Sequence, residues 1–182
     1  MRMTFRKFYR VFWVSGVPVY FHWSAVLMFS VFVAATPFFG IPILFIAIGI
    51  FSIMLIHEFG HAILVNHLGY KVNRIRIFPI HGLCSYEEPY SPYEDSIIAW
   101  GGVLAQFVLF VPAAAILAFF GNTSFGSINV LLVGFSYINA FIMAINLMPG
   151  PGLDGRKAWR LPLIIVRAKW TLFQLRRRKI LK

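Results

Sequence analysis

The run Ile43-Leu44-Phe45-Ile46-Ala47-Ile48-Gly49-Ile50-Phe51-Ser52-Ile53-Met54-Leu55-Ile56 holds no charged residue and leads straight into His57-Glu58-Phe59-Gly60-His61. Continued to Val65, it supplies the roughly 20 residues that a helix needs to cross a bilayer. Outward from this stretch the pattern widens. No Asp, Glu, Lys or Arg occurs from Val11 to His57, nor from Ser96 to Leu153. Only 13% of the residues are charged, whereas soluble domains carry about a quarter. A soluble fold of 182 residues has too much surface to hide two such stretches. Soluble, disordered, fibrous and disulfide-rich secreted classes are excluded. The chain reads as an integral membrane protein.

Turn signals divide the apolar sequence. Thr36-Pro37-Phe38-Phe39-Gly40-Ile41-Pro42 separates a first expected span near 17–35 from a second near 43–65. After a charged stretch, a third is expected near 97–120. Gly121-Asn122-Thr123-Ser124-Phe125-Gly126 then turns it into a fourth near 128–148. The expected fold class is therefore an all-α membrane protein of about four transmembrane helices. The basic residues set its orientation. Arg2, Arg6, Lys7 and Arg10 precede the first span, Lys71, Arg74 and Arg76 lie between the second and third, and the rest follow from Arg156 onward. The two short turns carry none, so both termini and the central loop are expected in the cytoplasm of a prokaryotic cell. A signal peptide is not expected, because the apolar stretch is too long and shows no cleavage site.

Between His67 and Tyr93 the period changes. Arg74-Ile75-Arg76-Ile77 alternates, and the segment through Tyr86 reads as a small β-hairpin at the cytoplasmic membrane surface. Residues 156–182 form a basic tail with Trp159 and Trp170, expected to be an interfacial amphipathic helix on anionic lipid. The expected division is a core over 1–155 and this tail. The net charge of +11 follows from the positive-inside rule, so nucleic acid is not an expected partner and the lipid bilayer is. Cys84 stands alone and cannot form an internal disulfide or a thiolate metal site.

His57-Glu58-Phe59-Gly60-His61 has the HExxH pattern. Residues four apart on a helix share a face about 6 Å apart, so both imidazoles can reach one metal ion. Glu58, one residue on, can face a water held there and accept its proton. An ionisable group at membrane depth costs roughly 2.5 kcal/mol or more, and a bound metal compensates for it. A catalytic zinc takes a third protein ligand and keeps one position open. The candidates are His67, Glu87, Glu88 and Asp154. His67 sits about 9 Å further along an unbroken helix than His61. Glu87 and Glu88 sit in the polar hairpin. Asp154 is the better choice: Pro149 and Pro151 break the helix past Met148, and broken backbone at membrane depth survives only against protein or water. By the topology above, the second and fourth spans run the same way, so Asp154 and HExxH end on one side of the membrane.

His57–His61 on one span, with Asn146…Pro149…Leu153-Asp154-Gly155 at the end of a later one, resembles the site-2 protease family of intramembrane zinc metalloproteases. The entry Gly16-Val17-Pro18-Val19-Tyr20-Phe21-His22 fits the same family. The resemblance covers roughly 17–155. It implies His57, His61 and Asp154 as ligands of one Zn2+ and Glu58 as catalytic base. The activity it implies is hydrolysis of a peptide bond within or beside a transmembrane segment of a membrane-protein substrate, in regulated intramembrane proteolysis. A separate regulatory membrane protein is an implied partner. The chain has no room for PDZ or CBS domains, and so looks most like the compact branch that includes the sporulation pro-sigma-factor processing protease. Gln106 stands where the family often has Asn, and His81 where glycine is common; neither is expected to touch the metal set.

Asn146 is a candidate donor to the developing oxyanion or to the substrate backbone. The Arg74–Ile80 strand offers an edge for an extended substrate. His22 reads as a packing histidine, Gly101 and Gly102 as sites of close helix approach, and Trp13, Trp100, Trp159 and Trp170 as interfacial anchors. Two other classes also mix histidines or polar sites with membrane spans. A di-iron desaturase needs several histidine boxes, which five histidines with one clustered pair do not supply. A non-catalytic scaffold or transporter subunit with a vestigial metal site is the alternative, and the intact Glu58 argues against it.

Overall fold

The computed structural model describes residues 7–180, with side chains to 174. Arg2 and Arg6 of the N-terminal basic cluster, with Leu181 and Lys182 of the tail, lie outside the described residues. The order is β1 (Phe8–Val14), β2 (Val17–His22), α1 (Trp23–Phe39), α2 (Pro42–His67), β3 (Val72–Ile77), β4 (Gly82–Tyr86) and α3 (Pro92–Phe120). Then come α4 (Gly126–Asn146), α5 (Gly155–Ala158) and α6 (Arg160–Ile180). Within α4 the turn Gly134–Ile138 is π-helical.

Among the described residues three helices are long and apolar enough to cross a membrane: α2, α3 and α4. They match the second, third and fourth expected spans to within a few residues. The first expected span is revised. Residues 17–22 form a strand, and α1 starts at Trp23 with 17 residues. A helix of that length is about 25 Å long, short of a typical hydrocarbon core. Val17-Pro18-Val19-Tyr20-Phe21 is as apolar as a membrane helix because Val17 and Val19 are buried in the cluster that the sheet forms with α2. Hydropathy alone does not separate those two reasons for being apolar.

The expected hairpin is likewise half of something larger. β3 and β4 pair antiparallel as anticipated, but β1 and β2 complete a four-stranded sheet of order β1-β2-β3-β4. The β1–β2 turn is Ser15-Gly16, both at positive φ, which suits the twist of a two-residue hairpin. β2 runs parallel to β3, and the crossover this requires is the α1–α2 helical pair. β3 therefore lies between two strands. Its edges are occupied, and the substrate edge expected at Arg74–Ile80 does not exist there; the unpaired edge beside the site belongs to β4.

Packing explains how the sheet reaches the HExxH turn. Val17, Val19, Val72, Ile75, Ile77 and Cys84 form one buried cluster with Met54, Ala62 and Val65 of α2. The sheet thus flanks α2 on either side of His57–His61. Against another part of α2 lies α3, begun by a Ser91–Glu94 capping box with Pro92 in its first turn. The two backbones meet at Gly60 and Gly101, where a Cβ on Gly60 would overlap the Gly101 carbonyl. This is the small-residue contact expected of Gly101, extended to a partner on α2. A Gly60→Val substitution should lower the thermal unfolding midpoint in detergent by roughly 6–12 °C, from overpacking of about 3 kcal/mol. Gly126→Ala, where a Cβ meets nothing within 4 Å, should move it by much less.

Candidate metal centre

Within α2, His57 and His61 project on one face one turn apart, their ring centroids separated by 4.7 Å. His57 lies ten residues before the end of α2 at His67, about 15 Å along the axis. The centre therefore sits within the spanning helix and not at its exposed end.

Asp154 arrives from the opposite side of the site. Past Asn146 the chain turns through Pro149 and Pro151, and Gly152 adopts φ +79°. Asp154 stands at the N-cap of α5 but does not cap it; its carboxylate turns toward the histidines instead. Gly155 is packed so closely on Leu147 and Met148 that a Cβ would overlap their backbone, which explains why glycine must follow the aspartate. Two tryptophans brace this turn. Trp159 donates its ring N–H to the Leu147 carbonyl at 2.6 Å, and Trp100 donates to the Ala158 carbonyl at 3.1 Å. Their rings meet edge-on at 5.8 Å. Trp100 and Trp159, expected as membrane-surface anchors, also tie α5 to α3 and to the end of α4. Lys157 adds a 2.8 Å ion pair to Asp95 at the start of α3.

These elements bring three atoms together. His57 Nε2 and His61 Nε2 are 3.1 Å apart, and Asp154 Oδ2 lies 3.0 and 3.2 Å from them. The Nδ1 atoms face oxygen acceptors: Gln106 Oε1 at 3.0 Å from His57 and the Ile98 carbonyl at 2.8 Å from His61. Each Nδ1 therefore carries hydrogen, which leaves the two neutral imidazoles pointing Nε2 lone pairs at each other and at a carboxylate. Such a triad is repulsive unless a cation or a shared proton lies among its members. Ligands of a tetrahedral zinc with bonds of about 2.0–2.1 Å stand roughly 3.3 Å apart. The residues present fit that ion, with two imidazole nitrogens and one carboxylate oxygen.

Among the described residues this is the group of metal-ligating side chains that converges. The other candidate ligands lie outside this group, although Glu88 lines the cavity that the triad opens on. His67 is exposed at the end of α2, and Glu87 accepts from the Lys71 backbone N–H at 3.0 Å. Cys84 is buried in β4, and burial, with the Glu58 charge adding, pushes its thiol up to about 12, so it is no thiolate ligand. His22 caps α1 and stacks on Phe78, in keeping with a packing role.

Glu58 is buried beside the triad, receiving the backbone N–H of Cys84. Gly82 abuts its carboxylate with no room for a side chain. Glu58, Asn146 and Asp154 line one cavity of about 1240 Å3 together with β4. His81, stacked on Phe78 at 4.5 Å, lines the same cavity without joining the triad. Gln106 is the correction: expected to stay clear of the metal set, it contacts His57 directly. A signal for it existed in the sequence. A polar amide in the middle of an uncharged span must find a partner, and Asn139 in the fourth span raises the same demand.

A solved structure, the site-2 protease from Methanocaldococcus jannaschii, superimposes with a TM-score of 0.69 over 86% of this chain and 71% of that one, at 24% identity. The chain has the site-2 protease fold. No protein-family model matches it. By sequence it is similar to a zinc metalloprotease of Methanocaldococcus jannaschii, 26% identical over 159 residues, 83% of this chain and 44% of that protein. A Synechocystis sp. protein, whose zinc metalloprotease name is itself provisional, is 30% identical over 110 residues, 60% of this chain and 28% of its own length. The chain thus spans less than half the length of the curated relatives it matches. The likeness to a site-2 protease is thus one of fold, and the relatives by sequence are named as zinc metalloproteases. Elemental analysis of detergent-purified protein should find about one zinc per chain, falling below roughly a tenth in Asp154→Ala while His67→Ala and Glu88→Gln retain it.

Proposed function

We propose that this chain is an intramembrane zinc metalloprotease that hydrolyses a peptide bond within or beside a transmembrane segment of a membrane-bound substrate. The observation that carries this reading is the triad of His57 and His61 on a membrane-capable helix with Asp154 from the turn before α5, with Glu58 beside it and all open to one cavity. The metalloprotease names of its relatives agree with it. In the proposed division of labour, His57, His61 and Asp154 hold the ion and Glu58 is the base. When bound, zinc supplies a Lewis acid that polarises the scissile carbonyl and makes water more acidic. Glu58 accepts the proton of the attacking water and passes it to the leaving amine. Asn146, half-buried on the cavity wall, offers its amide N–H to the oxyanion or to the substrate backbone.

A substrate helix has its own carbonyls hydrogen-bonded, so cleavage requires it to unwind locally. The unpaired edge of β4, whose residues line the cavity, offers backbone partners to the extended segment. This replaces the edge expected at Arg74–Ile80 and puts it closer to Glu58.

The proposed topology is multi-pass, with both termini in the cytoplasm. The α2 and α4 helices run in the same sense, which lets Asp154 meet HExxH, and the basic residues beyond their ends favour the cytoplasmic side. Regulated proteolysis, with a separate membrane protein as regulator, is the setting the family resemblance suggests. Purified Glu58→Gln should keep its zinc and lose at least about 100-fold of cleavage of a single-span reporter in vesicles. Equal cleavage by Glu58→Gln and wild type would overturn the assignment of the base and the protease reading with it.

A further inference from the structure

Gln106 of α3 and Asn139 of α4 are fully buried amides that meet in the middle of two apolar helices. Their orientation follows from a group that has no choice. The Gln106 backbone carbonyl can only accept, and Asn139 Nδ2 stands 3.0 Å from it, so that end of the Asn139 amide is the NH2. Asn139 Oδ1 is then the atom 2.9 Å from the Gln106 side chain, which must present its own NH2. The remaining atom, Gln106 Oε1, faces His57 Nδ1 at 3.0 Å. An oxygen acceptor there keeps the hydrogen on Nδ1 and the lone pair on Nε2, the atom 3.0 Å from Asp154.

We infer that Gln106 and Asn139 form a relay, anchored on the Gln106 carbonyl, that fixes the tautomer and aim of His57 as a metal ligand. Gln106 is a positioning residue for His57, and Asn139 is the positioning residue for Gln106. His61 needs no such relay, because its Nδ1 meets a backbone carbonyl directly. The π-helical turn Gly134–Ile138 belongs to the same device. A wider turn just before Asn139 shifts the face that the rest of α4 presents by about one residue, or roughly 100°. Ser136 and Asn139 are buried on either side of its end, and Ser136 returns its hydroxyl to the Leu132 carbonyl at 2.6 Å. The departure at Gln106, a longer amide where the family resemblance expects Asn, is thereby accounted for: its carbonyl end reaches His57 while its NH2 end stays on Asn139.

A merely structural role for the two amides, as hydrogen-bonded glue between α3 and α4, makes a different forecast. Glue would change stability with and without metal alike, whereas a relay changes metal affinity. The inference rests on the zinc reading of the triad and is tested by chelator competition for zinc on detergent-purified protein, beside thermal unfolding of the metal-free forms. Gln106→Met, close in volume but without an acceptor, should weaken zinc binding 10–100-fold. Asn139→Leu should weaken it less. The double variant should be no weaker than Gln106→Met within about a factor of two, because both act through one hydrogen bond. Gln106→Glu, which still accepts from Nδ1 but has no NH2 for Asn139 Oδ1, should lose no more affinity than Asn139→Leu does. It also serves as the second arm if Gln106→Met does not fold: loss of affinity there beyond tenfold contradicts the relay. Wild-type affinity in Gln106→Met, or losses that multiply in the double variant, overturns it while leaving the zinc reading intact. No zinc in wild type would overturn both.

Discussion

Two imidazole nitrogens of a helix that is otherwise hydrocarbon-compatible stand 3.0–3.2 Å from each other and from the carboxylate oxygen of Asp154, and the surrounding structure is arranged to make that tolerable. Each partner is held by something that has little freedom to move. A backbone carbonyl holds His61 and a buried amide holds His57. Asp154 sits on a turn that Trp100, Trp159 and Gly155 press against the ends of α3 and α4. The cost of bringing lone pairs together is met by the cation they are placed to share.

Solvent accounts for much of the rest. In a bilayer, backbone and side-chain polar groups must be satisfied by protein or by a hydrated cavity. The broken backbone after Asn146 lies against such a cavity, and a sheet inserted beside α2 satisfies its own strands while supplying Gly82 and Cys84 to Glu58. Close approach of α2 and α3 at Gly60 and Gly101 puts Ile98, Gly102 and Gln106 within reach of the histidines. One small-residue contact therefore serves both helix packing and the shell around the ligands.

The parts legible in the sequence are those with a period or a fixed spacing. The runs that became α2, α3 and α4 are long enough to be read as membrane helices, and HExxH places two side chains on one helical face at any depth. Asp154 followed from the paired prolines and the sense of the spans. What escaped depended on contacts across the chain. The strand Val17–His22 is apolar because the sheet packs on α2, and its place in that sheet depends on pairing with Ile75–Ile77, more than fifty positions later. Nothing in the sequence says that Trp100 and Trp159 also reach the Ala158 and Leu147 carbonyls. Gln106 and Asn139 announced an unmet need for partners, yet a linear sequence does not say that one of those partners is His57. The π-helical turn in α4 left no mark that periodicity would reveal.

The central claim is that a zinc ion is held by His57, His61 and Asp154, and zinc K-edge X-ray absorption on the detergent-purified chain tests it most directly. The account predicts a first shell of nitrogen and oxygen at about 2.0–2.1 Å with the outer-shell scattering of two imidazoles, and no sulfur. A shell containing sulfur at about 2.3 Å, or scattering from fewer than two imidazoles, would contradict it.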